Sequence, residues 1–285
     1  MVTRDTPWPE GTPCWIDLSV TDIPRAIAFY QGLFGWTAEQ GGPETGGYAI
    51  AHLDGRGVAG IGPKMQPEVP TVWTTYIAAA DADATAAKIK GAGGQLMMDP
   101  MDVTDVGRMA IAMDTTGAAF GIWQAKAFSG AQVANTPGTL TWSEQMSRDF
   151  EGAKAFYAAV FGYEYGDMSA EGFSYATLLL GGHEVGGVGG YPADVPAEVP
   201  AAWSTYFGTA DTDESVATAT KLGGTLIRPA MDSPYGRMAT VTDDQGAMFS
   251  LISISQGDSR RGTRENGTPP RQVTRRAASR ACGTT

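Results

Sequence analysis

The sequence predicts an α+β fold built from four βαβββ modules, two in each of two tandem copies of one domain. Self-similarity predicts the copies, since a fixed internal period marks a duplicated unit. Phe29-Tyr30 and Phe34-Gly35-Trp36 return 127 residues later as Phe156-Tyr157 and Phe161-Gly162-Tyr163. Gly60-Ile61-Gly62 returns at the same spacing as Gly187-Val188-Gly189. Trp73-Thr74-Thr75-Tyr76 returns 130 residues on as Trp203-Ser204-Thr205-Tyr206. Gly107-Arg108-Met109-Ala110 returns 129 residues on as Gly236-Arg237-Met238-Ala239, and Asp114, Gly117 and Phe120 return as Asp243, Gly246 and Phe249. The second observation is that each copy switches between strand and helix periodicity in the same order.

The first copy shows this order. Ile16, Leu18 and Val20 alternate with Asp17 and Ser19, the pattern of a half-buried strand over Cys14 to Val20. Asp22 then offers a helix-capping oxygen, and Pro24 suits a first helical turn. Ala26, Phe29, Tyr30 and Leu33 follow at helical spacing until Gly35. Tyr48 to Leu53 and Arg56 to Ile61 read as strands joined by the hairpin pair Asp54-Gly55. Val72 to Ala79 is a strand and Asp81 to Gly91 an Ala-rich helix. Gln95 to Met98, Arg108 to Met113 and Ala118 to Gln124 complete the copy as strands.

A length of 285 residues suffices for two domains, each expected to hold its own core. The expected division is an N-terminal arm (1–12), a first domain (13–128), a linker (129–138), a second domain (139–255) and a disordered Arg-rich tail (256–285). The tail sequence from 257 carries seven Arg against Asp258 and Glu265, so a net charge of −11 leaves −16 on the rest. An acidic body repels nucleic-acid phosphates. No apolar run is long enough to cross a membrane, and the polar, Pro-rich start has no signal-peptide centre, so a cytoplasmic protein is expected. Cys14 and Cys282 give neither a disulfide framework nor a zinc site. The glycine clusters Gly41-Gly42, Gly181-Gly182 and 186–190 precede no helix, which makes them turn and bulge residues rather than a nucleotide loop. The chain has no Gly-x-Ser-x-Gly and no Cys–His pair for nucleophilic hydrolysis.

Three motifs occur in both copies: the opening represented by Trp15-Ile16-Asp17-Leu18-Ser19-Val20-Thr21-Asp22, the helix end Phe29-Tyr30-x3-Phe34-Gly35-Trp36, and the closing Asp114-x2-Gly117-x2-Phe120. On these the chain resembles the vicinal oxygen chelate superfamily (glyoxalase I, bleomycin-resistance proteins, extradiol dioxygenases) over about residues 12–255, and looks closest to its two-domain actinobacterial members labelled hydroxylases of antibiotic pathways. The resemblance implies two tandem glyoxalase-like domains, each an eight-stranded sheet curled into a cup around a ligand. Metal-dependent members hold a divalent ion with His and Glu or Gln. The matching positions here carry Trp15, Thr74 or Thr75, and Gly121, and in the second copy Trp142, Ser204 or Thr205, and Ser250. None is a usual ligand. Only His52 and His183 are present, at non-equivalent places near hairpin turns. No bound metal is therefore expected.

Strand alternation points Trp15, Asp17 and Ser19 into the cup, and likewise Trp142, Glu144 and Met146. Asp17 and Glu144 are the candidate catalytic bases, since burial beside Trp raises a carboxyl pKa. The plainer alternative is a carboxylate satisfied by backbone amides or by Arg108 or Arg237; for those Arg an exposed strand position is favoured. The candidate substrate-binding residues are Trp15, Ser19, Tyr76, Trp123, Trp142, Met146 and Tyr206; the resemblance turns the Tyr hydroxyls inward, while the Trp residues also suit a core. Trp123 is matched by Ile252, so the cups are expected to differ.

The expected function is a metal-independent enzyme of secondary metabolism acting on an aromatic or polyketide-like ligand, by hydroxylation or by base-assisted lyase or isomerase chemistry. No cofactor is expected to be bound, and oxygen chemistry would draw either on reduced flavin supplied by a partner or on an electron-rich substrate. The alternatives are a drug- or metabolite-sequestering protein of the bleomycin-resistance type and a metal-dependent glyoxalase-type lyase. A pseudo-dimeric monomer or a homodimer is expected.

Overall fold

The computed structural model describes residues 1–254; the tail expected at 256–285 lies outside the described residues. Two eight-stranded mixed sheets form, one from each copy. In the first, the strand order from one edge is Thr37–Gln40, Ala49–Leu53, Arg56–Pro63, Pro13–Val20, Val72–Ala78, Ala119–Ala125, Gly107–Met113 and Gln95–Val103. The second repeats this order with Glu164–Asp167, Tyr175–Leu180, His183–Gly190, Leu140–Ser147, Ala202–Thr209, Met248–Ser253, Gly236–Thr242 and Thr225–Ser233. The opening strands of a copy's two modules pair antiparallel at the sheet centre, so modules join within a copy.

The local signals act as sequence physics requires. Helix α1 (Ile23–Phe34) begins where the Asp22 carboxylate accepts from the Arg25 amide, and ends at Gly35 with φ of 73°. Helices α2 (Ala82–Gly91), α3 (Phe150–Phe161) and α4 (Thr212–Lys221) are capped in the same way by Asp81, Asp149 and Asp211. Asp54 and Gly55 both take positive φ, the backbone that a tight hairpin needs. The structure adds the short strand Thr37–Gln40 and extends Gln95–Met98 to Val103, neither of which has a clear apolar alternation. It also pairs Val2–Thr3 of the arm with Val133–Ala134 between the domains.

The expectation of one core per domain is corrected. One apolar cluster joins Ile16, Leu18, Phe29, Tyr30 and Trp73 of the first copy to Phe207, Val241, Phe249 and Leu251 of the second. A second cluster joins Ile77, Ile89, Phe120 and Ile122 to Phe156, Tyr157, Val188 and Trp203. Helix α1 packs beside α4, and α2 beside α3. Periodicity fixes which face of an element is apolar, but not which copy covers it.

Polar chains cross the same boundary. Trp203 Nε1 donates to Tyr157 Oη (2.7 Å), and that hydroxyl donates to Asp114 of the first copy (2.9 Å). In mirror image, Trp73 Nε1 donates to Tyr30 Oη (3.1 Å), which donates to Asp243 of the second copy (3.1 Å). The aromatic after each Phe-Gly holds a connecting segment: Trp36 Nε1 donates to the Gly138 carbonyl of the linker (2.7 Å), and Tyr163 Oη to the Gly11 carbonyl of the arm. The repeated motifs thus encode the joint between copies as much as either copy.

Phe249→Ala should lower stability by about 3–5 kcal/mol in denaturant melts. Hydrogen exchange should speed up in α1, which belongs to the other copy. Faster exchange confined to the second copy would contradict a shared core.

Candidate functional site

Each central opening strand turns one face to the helices and the other to the cup. Ile16, Leu18 and Val20 lie in the shared core, as the alternation predicts. Trp15 lies on the opposite face, in a separate cluster with Tyr76 and Trp123. Asp17 sits on the same cup face, where the Tyr76 hydroxyl donates to its Oδ2 (2.9 Å). A second hydroxyl, from Tyr48, also reaches Asp17, and Tyr48 in turn accepts from Trp15 Nε1 (3.1 Å). The second copy repeats the arrangement: Trp142 Nε1 donates to Tyr175 Oη (2.8 Å), Tyr175 donates to Glu144 Oε2 (2.8 Å), and Tyr206 donates to Glu144 Oε1 (2.6 Å).

Tyr48 and Tyr175 are absent from the sequence-derived candidates. Two signals mark them in retrospect: they are a pair at the 127-residue spacing, and each faces a repeated glycine. A Cβ at Gly60 would lie 1.7 Å from Tyr48 Oη, and one at Gly187 would lie 2.0 Å from Tyr175 Oη. The glycines on the neighbouring strand leave room for the phenol ring to lie across the sheet. Met146 lies over Gly189 in the same way. Ser19, by contrast, makes no side-chain hydrogen bond among the described residues.

Both carboxyls meet neutral donors rather than cations. Burial raises the Asp17 pKa from 3.8 to about 7, although the Tyr76 and Tyr48 hydroxyls pull it down. Burial likewise raises Glu144, against the pull of Tyr206, Tyr175 and the more distant Arg228 charge. Burial and the adjacent acid push the pKa values of all four tyrosines up, so they stay protonated donors. Arg108 and Arg237 are not the carboxyl partners. Arg108 pairs with Asp83 (2.8 Å) and Arg237 with Asp213 (2.7 Å), both at the surface.

Trp123 lies near Trp15 but is held by its own chain: its Nε1 donates to the Phe128 carbonyl (2.9 Å). Trp73 and Trp203 belong to the core. Thr74 and Ser204 stand opposite Asp17 and Glu144 in the ladder, whereas Thr75 and Thr205 pair with Ile16 and Ser143 and face the helices. The donor set in each cup is therefore indole, phenol, hydroxyl and a single carboxyl. Among the described residues no three His, Cys, Asp or Glu side chains converge. This set does not fit a divalent ion, which needs several anionic or imidazole ligands on one centre.

The comparisons agree with this architecture. Residues 14–122 and 139–251 each match the model of the Glyoxalase/Bleomycin resistance protein/Dioxygenase superfamily. CFP32 of Mycobacterium tuberculosis, whose name assigns it provisionally to the glyoxylases, is 42% identical over 250 residues, 85% of this chain and 95% of CFP32. The anthracycline biosynthesis protein DnrV of Streptomyces peucetius is 35% identical over 271 residues, 90% of this chain and 97% of DnrV. In fold, the chain is similar to the Mn(II)-bound glyoxalase from Novosphingobium aromaticivorans (TM-score 0.62, 14% identity, 86% of this chain and 83% of that one). It is also similar to the 2,2',3-trihydroxybiphenyl 1,2-dioxygenase from Sphingomonas wittichii (TM-score 0.60, 13% identity, 88% and 94%). Matched along both copies and built on the superfamily's paired-module sheets, the chain belongs to the glyoxalase/bleomycin resistance/dioxygenase (vicinal oxygen chelate) superfamily.

Proposed function

We propose that the protein is an enzyme of secondary metabolism that moves a proton on an aromatic or polyketide-like substrate held in a cup, without a resident metal. One observation carries this reading: each cup floor holds a single carboxyl, desolvated and tied only to phenol hydroxyls, beside an indole ring. A raised carboxyl pKa makes a better base, and Asp17, at about 7, both accepts and returns a proton near neutral pH. Asp17 and Glu144 would take the proton from an acidic C–H or O–H of the substrate. The Tyr hydroxyls would donate to the charge that develops on the substrate oxygen. Trp15, Ser19, Tyr76 and Trp123 in one cup, and Trp142, Met146 and Tyr206 in the other, would supply the flat contact surface.

The anthracycline biosynthesis protein DnrV, a relative along nearly its whole length, supports a substrate of polyketide type. Isomerisation or lysis needs only the proton transfer. Hydroxylation would in addition need dioxygen and two electrons, drawn from reduced flavin supplied by a partner. The second reading, sequestration of a flat metabolite, shares the cups and dispenses with the base.

Asp17→Asn with Glu144→Gln should abolish turnover of a polyketide-like aromatic while calorimetric binding persists. Turnover that survives the double change rules out the proton-transfer role, and stoichiometric binding without turnover in the wild type selects sequestration. Metal analysis of protein purified without chelator should give well under one divalent ion per chain.

The Asp17 shift also has a substrate-free readout. A carboxyl whose pKa rises on folding holds its proton in the folded chain while the unfolded chain has lost it, so stability falls as pH rises from about 4 to about 7. The wild-type melting temperature should fall over that range, and Asp17→Asn should flatten the fall. An unchanged pH profile in the variant would show that Asp17 does not carry the shift.

A further inference from the structure

The two cups share one plan and are finished differently. The ladders place Trp15, Tyr76, Gly121, Ile111 and Met98 in one cross-strand row of the first sheet. The matching row of the second sheet is Trp142, Tyr206, Ser250, Thr240 and Arg228. Residues opposite one another in a ladder share a face, so both rows line their cups. The first row turns apolar beyond Tyr76. The second stays polar: Ser250, opposite Tyr206 in the ladder, has its Oγ 3.1 Å from Thr240 Oγ, and the row ends on a guanidinium.

The first cup is also covered over Trp15, Tyr76 and Trp123, while Asp17 and Ser19 stay partly exposed. Phe128 stands edge-on to Trp15 at 4.8 Å and lies 6.0 Å from Trp123, held by hydrogen bonds that the Lys126 and Phe128 backbone N–H groups donate to the Val106 carbonyl. Trp15 and Tyr76 are left 4% and 5% exposed. Trp142 and Tyr206, their counterparts, are only partly buried. The residue matching Phe128 in sequence is Gly257, which lies outside the described residues.

The second cup's rim carries open aromatic surface where the first has little. Phe173 stacks on Tyr175 at 5.5 Å and is 41% exposed, and Tyr235 is 49% exposed. Gly46 and Val106 hold their places in the first copy. Arg228 is exposed and pairs with no carboxylate among the described residues, unlike Arg108 and Arg237. Its charge nevertheless reaches Glu144, Tyr191 and Tyr206.

We propose that the second cup alone takes the ligand, and that this ligand is a planar ring system with an anionic oxygen group at its edge, paired by Arg228. The assignment rests on the reading of the cups as small-molecule sites. The ring lies against Trp142 and the Phe173–Tyr175 pair, and the Ser250 and Thr240 hydroxyls complete the bonds to its oxygens. The first cup, where Phe128 covers Trp15 and Trp123, serves as structure, so of the two candidate bases Glu144 alone meets the ligand.

The test uses the full chain and two probes of one shape, anthracenecarboxylate and its uncharged carboxamide, titrated by calorimetry. One site per chain is expected, with the carboxylate bound more tightly. Arg228→Met, which installs the first copy's residue at an exposed position, should weaken the carboxylate by about tenfold to a hundredfold and leave the carboxamide unchanged. Arg228→Lys should retain part of the preference, and Met98→Ala in the first cup should alter neither probe. Two equal sites per chain, or equal losses for both probes in Arg228→Met, would overturn the assignment while leaving the cups as ligand sites. Failure of the wild-type chain to bind either probe at millimolar concentration would sink both readings.

Discussion

Most of the architecture hangs on two buried carboxylates that belong to neither copy alone. Asp114 takes the Thr116 and Ala118 amides of its own turn on one oxygen, and Tyr157 and Gln145 of the other copy on the second oxygen. Asp243 takes the Gln245 and Ala247 amides and then Tyr30 from across the joint. A buried carboxylate left without these donors would be strongly unfavourable. Tyr157 and Tyr30 are therefore obliged to reach the opposite copy, and their helices come with them. The aromatic layer of Phe34, Phe207 and Phe249 closes around that contact. Once helices lie between the two sheets, the remaining sheet faces are left to form cups.

The cup carboxyls are placed under opposite rules. Asp114 and Asp243 each take two backbone N–H groups of a fixed turn besides one Tyr hydroxyl. Asp17 and Glu144 meet phenol hydroxyls, which can rotate and can serve a ligand as well. The glycines at 60, 62, 187 and 189 belong to the same design, because a side chain at any of them would collide with the phenol ring or with Met146. A pair of glycines that resembles a turn in the sequence is, in the sheet, a clearing beneath an aromatic ring.

The fold was legible because its signals are local. Asp caps, Gly stops, strand alternation and the 127-residue repeat each act within a few residues or within one copy. The orientation of Trp15, Asp17, Trp142 and Glu144 followed from the period of two. The helix-facing surface carried no mark of its covering partner, so one core per domain was the natural expectation and a shared core the outcome. Tyr48 and Tyr175 were missed because the glycines their hydroxyls lie over, Gly60 and Gly187, sit on the neighbouring strand and are brought there by register rather than by spacing. Thr37–Gln40 carries too few apolar residues to be seen as a strand, and it forms as an edge laid on Ala49–Leu53.

The joining of the two copies into one chain has a consequence for how such a site can change. In a symmetric pair of identical subunits, every substitution is made twice, and a residue that fills one pocket fills both. Here Phe128 can cover part of one cup while the position that matches it in the second copy's sequence carries Gly257. Met98 can likewise remain a packing residue while Arg228 becomes a charge. The fused chain keeps the mutual burial of a dimer and releases its halves from having to be the same, so one half is free to hold the scaffold steady while the other is reshaped around a new molecule.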